Sequence, residues 1–324
     1  MSTDEPVVLL LTDPAMAVHA SPGHPERPER IEAVVAGVAD GAHAAGARLV
    51  QRPAAPATHD MLMRVHDVGY LEWLVAQAAA GGDWLDPDTY LVEATPAAAW
   101  LAAGLATAAA AAVVSGEADV AFAAIRPPGH HAHRDQGKGF CILNNVAVAA
   151  ASVQASGLAR RVAILDWDVH HGDGTQSLVG ADPDTFYGST HQYPWYPGTG
   201  SAGEGGDTVV NVPLEAGSGD EAFVNAWRDT ILPAVEAFAP AAIFVSAGFD
   251  AHLDDPLAGM MVTSKGFRAV ALEIGKLARR LGLRGVALTL EGGYDLDALR
   301  ASAAATIEGL LAGLGPAPRR DSRT

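Results

Sequence analysis

Asp168 and His170 stand two residues apart in Asp166-Trp167-Asp168-Val169-His170-His171-Gly172, and Asp250 closes a distant Gly248-Phe249-Asp250. In extended chain, residues two apart point to the same side. A carboxylate and an imidazole at that spacing, joined by a carboxylate from a neighbouring strand end, therefore make three ligands around one cation. Three protein ligands leave a fourth position for water, which is the catalytic rather than the structural arrangement of zinc, and zinc lowers that water's pKa toward about 7. Singly, each residue would read as a loop cap or a solvated side chain; three at successive strand ends read as a metal site. The same imidazole and carboxylate set also suits iron(II).

His130 and His131 follow a Pro127-Pro128-Gly129 turn, and as neighbours their side chains diverge, so each ring needs its own partner. Two imidazoles there can supply a general base and an auxiliary acid beside a metal. Asp166 and Asp173 are the carboxylates left over nearby, each able to orient one ring and raise its basicity. Tyr294, in Glu291-Gly292-Gly293-Tyr294, either donates a hydrogen bond to an oxyanion or packs over a strand end, and the segment alone leaves both readings open. Phe140 with Tyr196 or Trp195 can wall an apolar slot. Gly198-Thr199-Gly200-Ser201-Ala202-Gly203 has the spacing of a dinucleotide-binding turn. It follows Trp195-Tyr196-Pro197 instead of a buried strand and precedes Glu204-Gly205-Gly206-Asp207 instead of an apolar helix, so we read it as a mobile or substrate-facing loop.

The elements that must position these residues recur regularly. Aliphatic or β-branched runs fall at 7–11, 48–51, 120–125, 162–166, 185–188, 208–212, 242–246 and 285–290, and helical patterns at 28–46, 145–156, 220–238, 264–281 and 296–314. Continuous apolar strands alternating with helices predict an α/β fold whose mainly parallel sheet, of about eight strands, is covered on both faces. Each polar cluster follows one of these runs. The carboxyl ends of parallel strands all face one edge, so the four clusters converge on one crevice. No linker-like tract and no internal repeat divides the chain, which predicts a single domain over 1–315 and a disordered tail at 316–324. The alanine-rich stretch at 97–114 reads as a buried helix rather than a membrane span.

The 324 residues carry 38 acidic against 21 basic side chains, a formal charge of −17 that opposes a nucleic-acid partner and favours cationic ligands. One cysteine, Cys141, excludes an internal disulfide framework and a cysteine-based zinc knuckle. The first six residues lack the basic and apolar regions of a signal peptide, so the expected location is cytoplasmic. No membrane partner is expected, and a homo-oligomer stays open.

Taken in order, His24-Pro25-Glu26-Arg27-Pro28-Glu29-Arg30, the cluster at 126–131, Gly139-Phe140-Cys141 with Asn144-Asn145, and the clusters at 166–174, 197–200, 246–250 and 291–294 closely resemble the zinc-dependent histone deacetylase and acetylpolyamine amidohydrolase superfamily, particularly its class II and bacterial members. The resemblance implies an arginase-like, three-layer α/β fold on a central eight-stranded sheet. It implies zinc on Asp168, His170 and Asp250, His131 as principal general base with His130 as its partner, and Tyr294 polarising the acetyl carbonyl. It pairs Asp166 with His130 and Asp173 with His131. It also implies potassium held by Asp166, Asp168, the backbone of His170, Ser189 and Thr190, with a second potassium near Val179, Asp182 and Thr185.

By the same resemblance Gly139, Phe140 and Tyr196 line an acyl-lysine tunnel, although the family more usually has phenylalanine at the Tyr196 position. Asp88 matches a rim aspartate that binds substrate backbone amides. Leu257 stands where a polyamine-selective branch carries glutamate, which favours acetyl-lysine or another acyl amine; Asp88, Asp254, Asp255 and the net charge keep an acetylpolyamine substrate open. The implied reaction is amide hydrolysis to acetate and a free amine. A catalytically silent binding module would have lost a ligand, His131 or Tyr294, and all are present. An arginase-like dimanganese site needs a bridging cage that one Asp-x-His plus one Asp does not supply.

Overall fold

The computed structural model describes residues 5–316; the expected tail, apart from Pro316, and the first four residues lie outside the described residues. In chain order, β1 (Val7–Leu11), α1 (Glu29–Ala44) and β2 (Arg48–Arg52) precede α2 (His59–Met63), α3 (Val68–Ala79) and a hairpin of β3 (Asp83–Asp86) with β4 (Thr89–Leu91). There follow α4 (Thr95–Ser115), β5 (Val120–Ala123), α5 (Asn145–Ala155), β6 (Val162–Asp166), α6 (Asp173–Val179), β7 (Thr185–Gln192) and β8 (Val209–Leu214). The chain ends with α7 (Asp220–Ala226), α8 (Leu232–Phe238), β9 (Ala242–Ala247), α9 (Ser264–Arg280), β10 (Val286–Leu290) and α10 (Leu296–Leu314).

The main sheet has eight strands in the order β2-β1-β5-β10-β9-β6-β7-β8, and every pair is parallel. Its four middle strands, β5, β10, β9 and β6, are buried at every position, which is why they read as apolar runs interrupted only by Thr289, Ser246 and the terminal Asp166. The outer strands β2 and β8 are only partly buried and mix polar with apolar residues. The four clusters singled out in the sequence follow those four middle strands, so the crevice lies at the centre of the carboxyl edge.

Helices α5, α9 and α10 start where a side chain satisfies one of their first N–H groups: Asn144 accepts from Ala147 N ahead of α5, Thr263 from Lys265 N ahead of α9, and Asp295 from Ala298 N ahead of α10. α4, long and apolar enough by length and composition to cross a membrane, is 67% buried over its most apolar window and packs on α5 and β5. The helix expected at 220–238 is interrupted by a π turn at Trp227–Ile231. Pro233, in the first turn of α8, has no N–H to donate back and its ring would collide with the preceding turn, so the helix widens there. α1 crosses α10 at Gly37 and Gly41, where a methyl group would overlap the carbonyl oxygens of Arg300 and Ala304, so the two backbones touch.

A buried ion cluster ties the first turn of α1 to the sheet. Glu26, fully buried, accepts from Arg30 Nη1 at 2.9 Å and Arg126 Nη2 at 2.7 Å. Arg30 then donates through Nε to the Gly293 carbonyl at 2.6 Å, and through Nη2 to that of Glu291. Burial pushes the Glu26 carboxyl up, but the Arg126 and Arg30 charges outweigh it and hold the group at about 2 instead of 4.5. A depressed carboxyl stabilises the fold above its unfolded pKa, so this contribution is complete above about pH 4.5 and is lost as pH falls through about 2. Glu26→Ala leaves two buried guanidinium groups without their carboxylate and is expected to cost about 3–5 kcal/mol in chemical denaturation at neutral pH. A variant with the wild-type midpoint would show the cluster to be dispensable.

Candidate active site

The loops after the four middle strands fold onto one another through backbone donors and buried carboxylates. Asp168 Oδ2 accepts from Gly292 N at 2.8 Å and its Oδ1 from His170 N at 2.9 Å; Asp250 Oδ1 accepts from Val169 N at 2.9 Å. Gly292 must lack a side chain, because a methyl group there would strike both Asp250 Oδ2 and Asp168 Oδ2.

Asp168, His170 and Asp250 offer ligand atoms that lie within 4.8 Å of one another, as their spacing predicts. His170 Nδ1 lies 3.1 Å from Asp168 Oδ1 and 3.1 Å from Asp250 Oδ2. Burial disfavours an imidazolium, yet the two aspartates beside the ring raise His170 to about 10. Electrostatics that strong draw a dication equally well. Asp250 Oδ2 is buried and accepts no hydrogen bond among the described residues, an orphaned acceptor that a metal ion would satisfy. These residues fit a metal centre. A second trio, His130, Cys141 and Glu291, is equally compact, but Glu291 Oε2 already accepts from Gly129 N at 2.6 Å and His130 N at 3.1 Å. That carboxylate shapes the histidine turn. The thiol of Cys141 is buried and pushed well above its ordinary range, first by desolvation.

Both imidazole–carboxylate pairs form: Asp166 Oδ2 lies 3.1 Å from His130 Nδ1, and Asp173 Oδ1 lies 2.8 Å from His131 Nδ1. Burial and the His130 charge hold His131 at about 3, against the pull of Asp173. His130 goes the other way, since Asp168 and Asp166 overcome its burial and raise it well above 6.5. A dication on Asp168 opposes that attraction.

A cavity of about 230 Å³ opens over these groups. His130, His131, His170 and Tyr294 line it, together with all five residues expected to meet substrate: Asp88, Gly139, Phe140, Tyr196 and Leu257. Trp195 joins the wall, whereas 198–203 does not; Gly200 instead packs on His171 and His191. Phe140 stands edge-on to the Tyr294 ring, centroids 5.7 Å apart, with a backbone φ of 68° that only a few non-glycine residues adopt. Such strain costs about 1–3 kcal/mol and needs external support. β3 and β4 supply it, since Asp86 Oδ2 accepts from Gly139 N at 3.0 Å and Thr89 Oγ1 from Phe140 N at 2.8 Å. Sequence reasoning missed this hairpin, although Asp86-Pro87-Asp88 between two short runs is a turn signal.

Desolvation raises the Tyr294 phenol well above 10, so it stays a hydrogen-bond donor. Its turn is fixed by Asp255 Oδ2, which accepts from Tyr294 N at 2.7 Å, and by Arg30, whose guanidinium lies 4.8 Å from the ring centroid. Neither residue was singled out for this role by its sequence context. The two residues expected to hold potassium alongside Asp166 and Asp168 lie on β7: Ser189 is in register with Asp166, its hydroxyl 2.9 Å from His191 Nδ1, while Thr190 Oγ1 accepts from Trp227 Nε1 at 3.1 Å. At the weaker second position, Thr185 Oγ1 donates to Asp182 Oδ2 at 2.7 Å.

The histone deacetylase domain model matches residues 24–310. The chain is 43% identical over 255 residues to a histone deacetylase-like amidohydrolase of Pseudomonas aeruginosa, covering 77% of this chain and 67% of that protein. It is 37% identical over 282 residues to a probable deacetylase of Archaeoglobus fulgidus, covering 86% and 78%. Among solved structures it superimposes on an acetylpolyamine aminohydrolase from Burkholderia pseudomallei with a TM-score of 0.81 and 33% identity, covering 94% of this chain and 98% of that one. With its α/β sheet, its buried Asp-His-Asp set and its paired histidines, the chain belongs to the histone deacetylase family of amide hydrolases.

Proposed function

We propose that the protein removes the acetyl or acyl group from N-acetyl-lysine or a related acylated amine, with zinc held by Asp168, His170 and Asp250. The observation that carries this reading is the convergence of His170, His131 and Tyr294 on one cavity, with Asp168 and Asp250 behind His170 and all three ligand atoms within 4.8 Å of one another. Zinc bound there would supply a Lewis acid and make water acidic enough to act as nucleophile near neutral pH.

The side chains of the chain do the rest. His131 donates from Nδ1 to Asp173, so Nε2 carries the lone pair that takes the water's proton. The Tyr294 hydroxyl donates to the acyl oxygen as charge builds on it. His130, oriented by Asp166, assists in returning a proton to the departing amine, and acetate and free amine leave. Phe140 and Tyr196 flank the slot that would hold the aliphatic stem. Potassium at Asp166, Asp168, the His170 carbonyl, Ser189 and Thr190 is a further part of this proposal. It is supported by the adjacency of Asp166 and Ser189 on paired strands.

Leu257 gives the cavity an apolar wall where a second cationic centre of a polyamine would want a carboxylate, which favours acyl-lysine. Asp88 on the same cavity, together with the net charge of −17, favours acetylpolyamines. Comparing kcat/KM for acetyl-lysine peptides, acetylpolyamines and longer acyl-lysines separates these substrates.

Chelation is expected to abolish amidase activity and zinc to restore it, and Asp250→Ala is expected to lose metal together with turnover; full activity in protein shown metal-free by elemental analysis would sink the reading. Tyr294→Phe removes one hydroxyl and is expected to lower kcat by about a hundredfold with zinc content unchanged. Wild-type turnover in that variant, or loss of zinc from it, would make the phenol structural.

A further inference from the structure

We propose that Lys138 is a positioning residue for the deacetylation, its ammonium fixing the Asp173 carboxylate that orients His131; the inference rests on the reading of His131 as base. The two oxygens of Asp173 have separate partners. Oδ1 faces His131 Nδ1, while Oδ2 takes Lys138 Nζ at 2.5 Å and His133 Nε2 at 3.0 Å. The Asp166 carboxylate beside His130 is held differently. Its Oδ2 is shared with the Tyr187 hydroxyl at 3.1 Å and its Oδ1 accepts from Asp168 N; among the described residues no lysine or arginine bonds it, and it is completely buried.

The difference follows from where the two carboxylates sit. Asp166 ends a fully buried strand, and its side chain has nowhere to turn. Asp173 opens the seven-residue α6, retains 8% exposure, and has neighbours that themselves reach water: the His133 side chain is 27% exposed and that of Lys138 21%. A carboxylate in that position can rotate. Rotation would take Oδ1 off His131 Nδ1 and free the ring to carry its proton on Nε2, the nitrogen that must stay bare to act as base. A charge-assisted bond to the opposite oxygen resists that rotation more strongly than a neutral donor would.

Lys138 is well placed to supply such a bond. Its carbonyl accepts from Cys141 N at 3.0 Å, and the two residues that follow it are anchored to the β3–β4 hairpin. On its other side the ammonium lies 5.8 Å from the centroid of the Tyr196 ring, which favours a cation over its face. Lys138 does not line the cavity, so it acts through Asp173 and not on substrate.

The test is Lys138→Met, which keeps the length of the side chain and removes its charge. With an acetyl-lysine peptide, kcat is expected to fall about tenfold while KM, zinc content and Tm stay at wild-type values. Lys138→Arg should regain most of the loss, n-propylamine should partly restore Lys138→Ala, and Lys138→Met should add nothing in an Asp173→Asn background. Wild-type kcat in Lys138→Met overturns the inference. So does a raised KM with kcat intact, which would make Lys138 a support for the Tyr196 wall, and so does a full additional loss in the Asp173→Asn background. Should Lys138→Met unfold, Lys138→Arg decides: a folded arginine variant as slow as Lys138→Ala overturns the inference, and one near wild type supports it. Failure of the wild-type chain to hydrolyse any acylated amine would instead overturn the parent reading, and it shows before any variant is made.

Discussion

Carboxylates buried at the ends of parallel strands are the constraint on which the rest of this structure depends. Asp166, Asp168, Asp250, Asp255 and Glu291 are almost wholly removed from water, and an ionised group in that position is costly unless it is paired or hydrogen-bonded. The loops meet that cost with their own backbones. N–H groups of Gly129 and His130 converge on Glu291, those of His170 and Gly292 on Asp168, that of Val169 on Asp250 and that of Tyr294 on Asp255. Loop conformation at the site is therefore a matter of satisfying buried carboxylates, and the side chains that line the cavity stand where that leaves them. Asp250 Oδ2 and Glu291 Oε1 are left without a hydrogen bond among the described residues, and the first of them, facing Asp168 and His170, is the one placed to meet a cation.

The parts of the fold legible in the sequence are those governed by short-range regularity. The expected bounds of β1 and β6 match to the residue, and those of β5, β9 and β10 to within two, because burial on both faces keeps these strands largely apolar. β7 runs four residues beyond its expected end because Ser189, Thr190, His191 and Gln192 are polar yet buried, their hydroxyls, ring and amide each finding partners that periodicity does not register. The hairpin at 83–91 is too short to announce itself by pattern, although its turn residues do.

The candidate site divides along the same line. Asp168 and His170 are visible because two-residue spacing in extended chain already states a geometry, and the pairings of His130 with Asp166 and His131 with Asp173 agree with those implied by family resemblance. Asp86, Thr89, Asp255 and Lys138 are invisible by the same reasoning. Each acts on a partner between 35 and 53 residues away through a contact that exists only once the sheet has assembled.

The bare contact between α1 and α10 reaches further than packing. Gly37 and Gly41 set the spacing between those helices at the minimum two backbones allow, and Arg30, about two to three turns earlier on α1, reaches the carbonyls of Glu291 and Gly293. The helix pair thus works as a gauge block: its thickness determines whether a side chain of fixed length can hold the turn that presents Tyr294. Widening it by the width of a methyl group, at a surface remote from the cavity, would shift the turn that presents Tyr294 without altering any residue that lines the cavity.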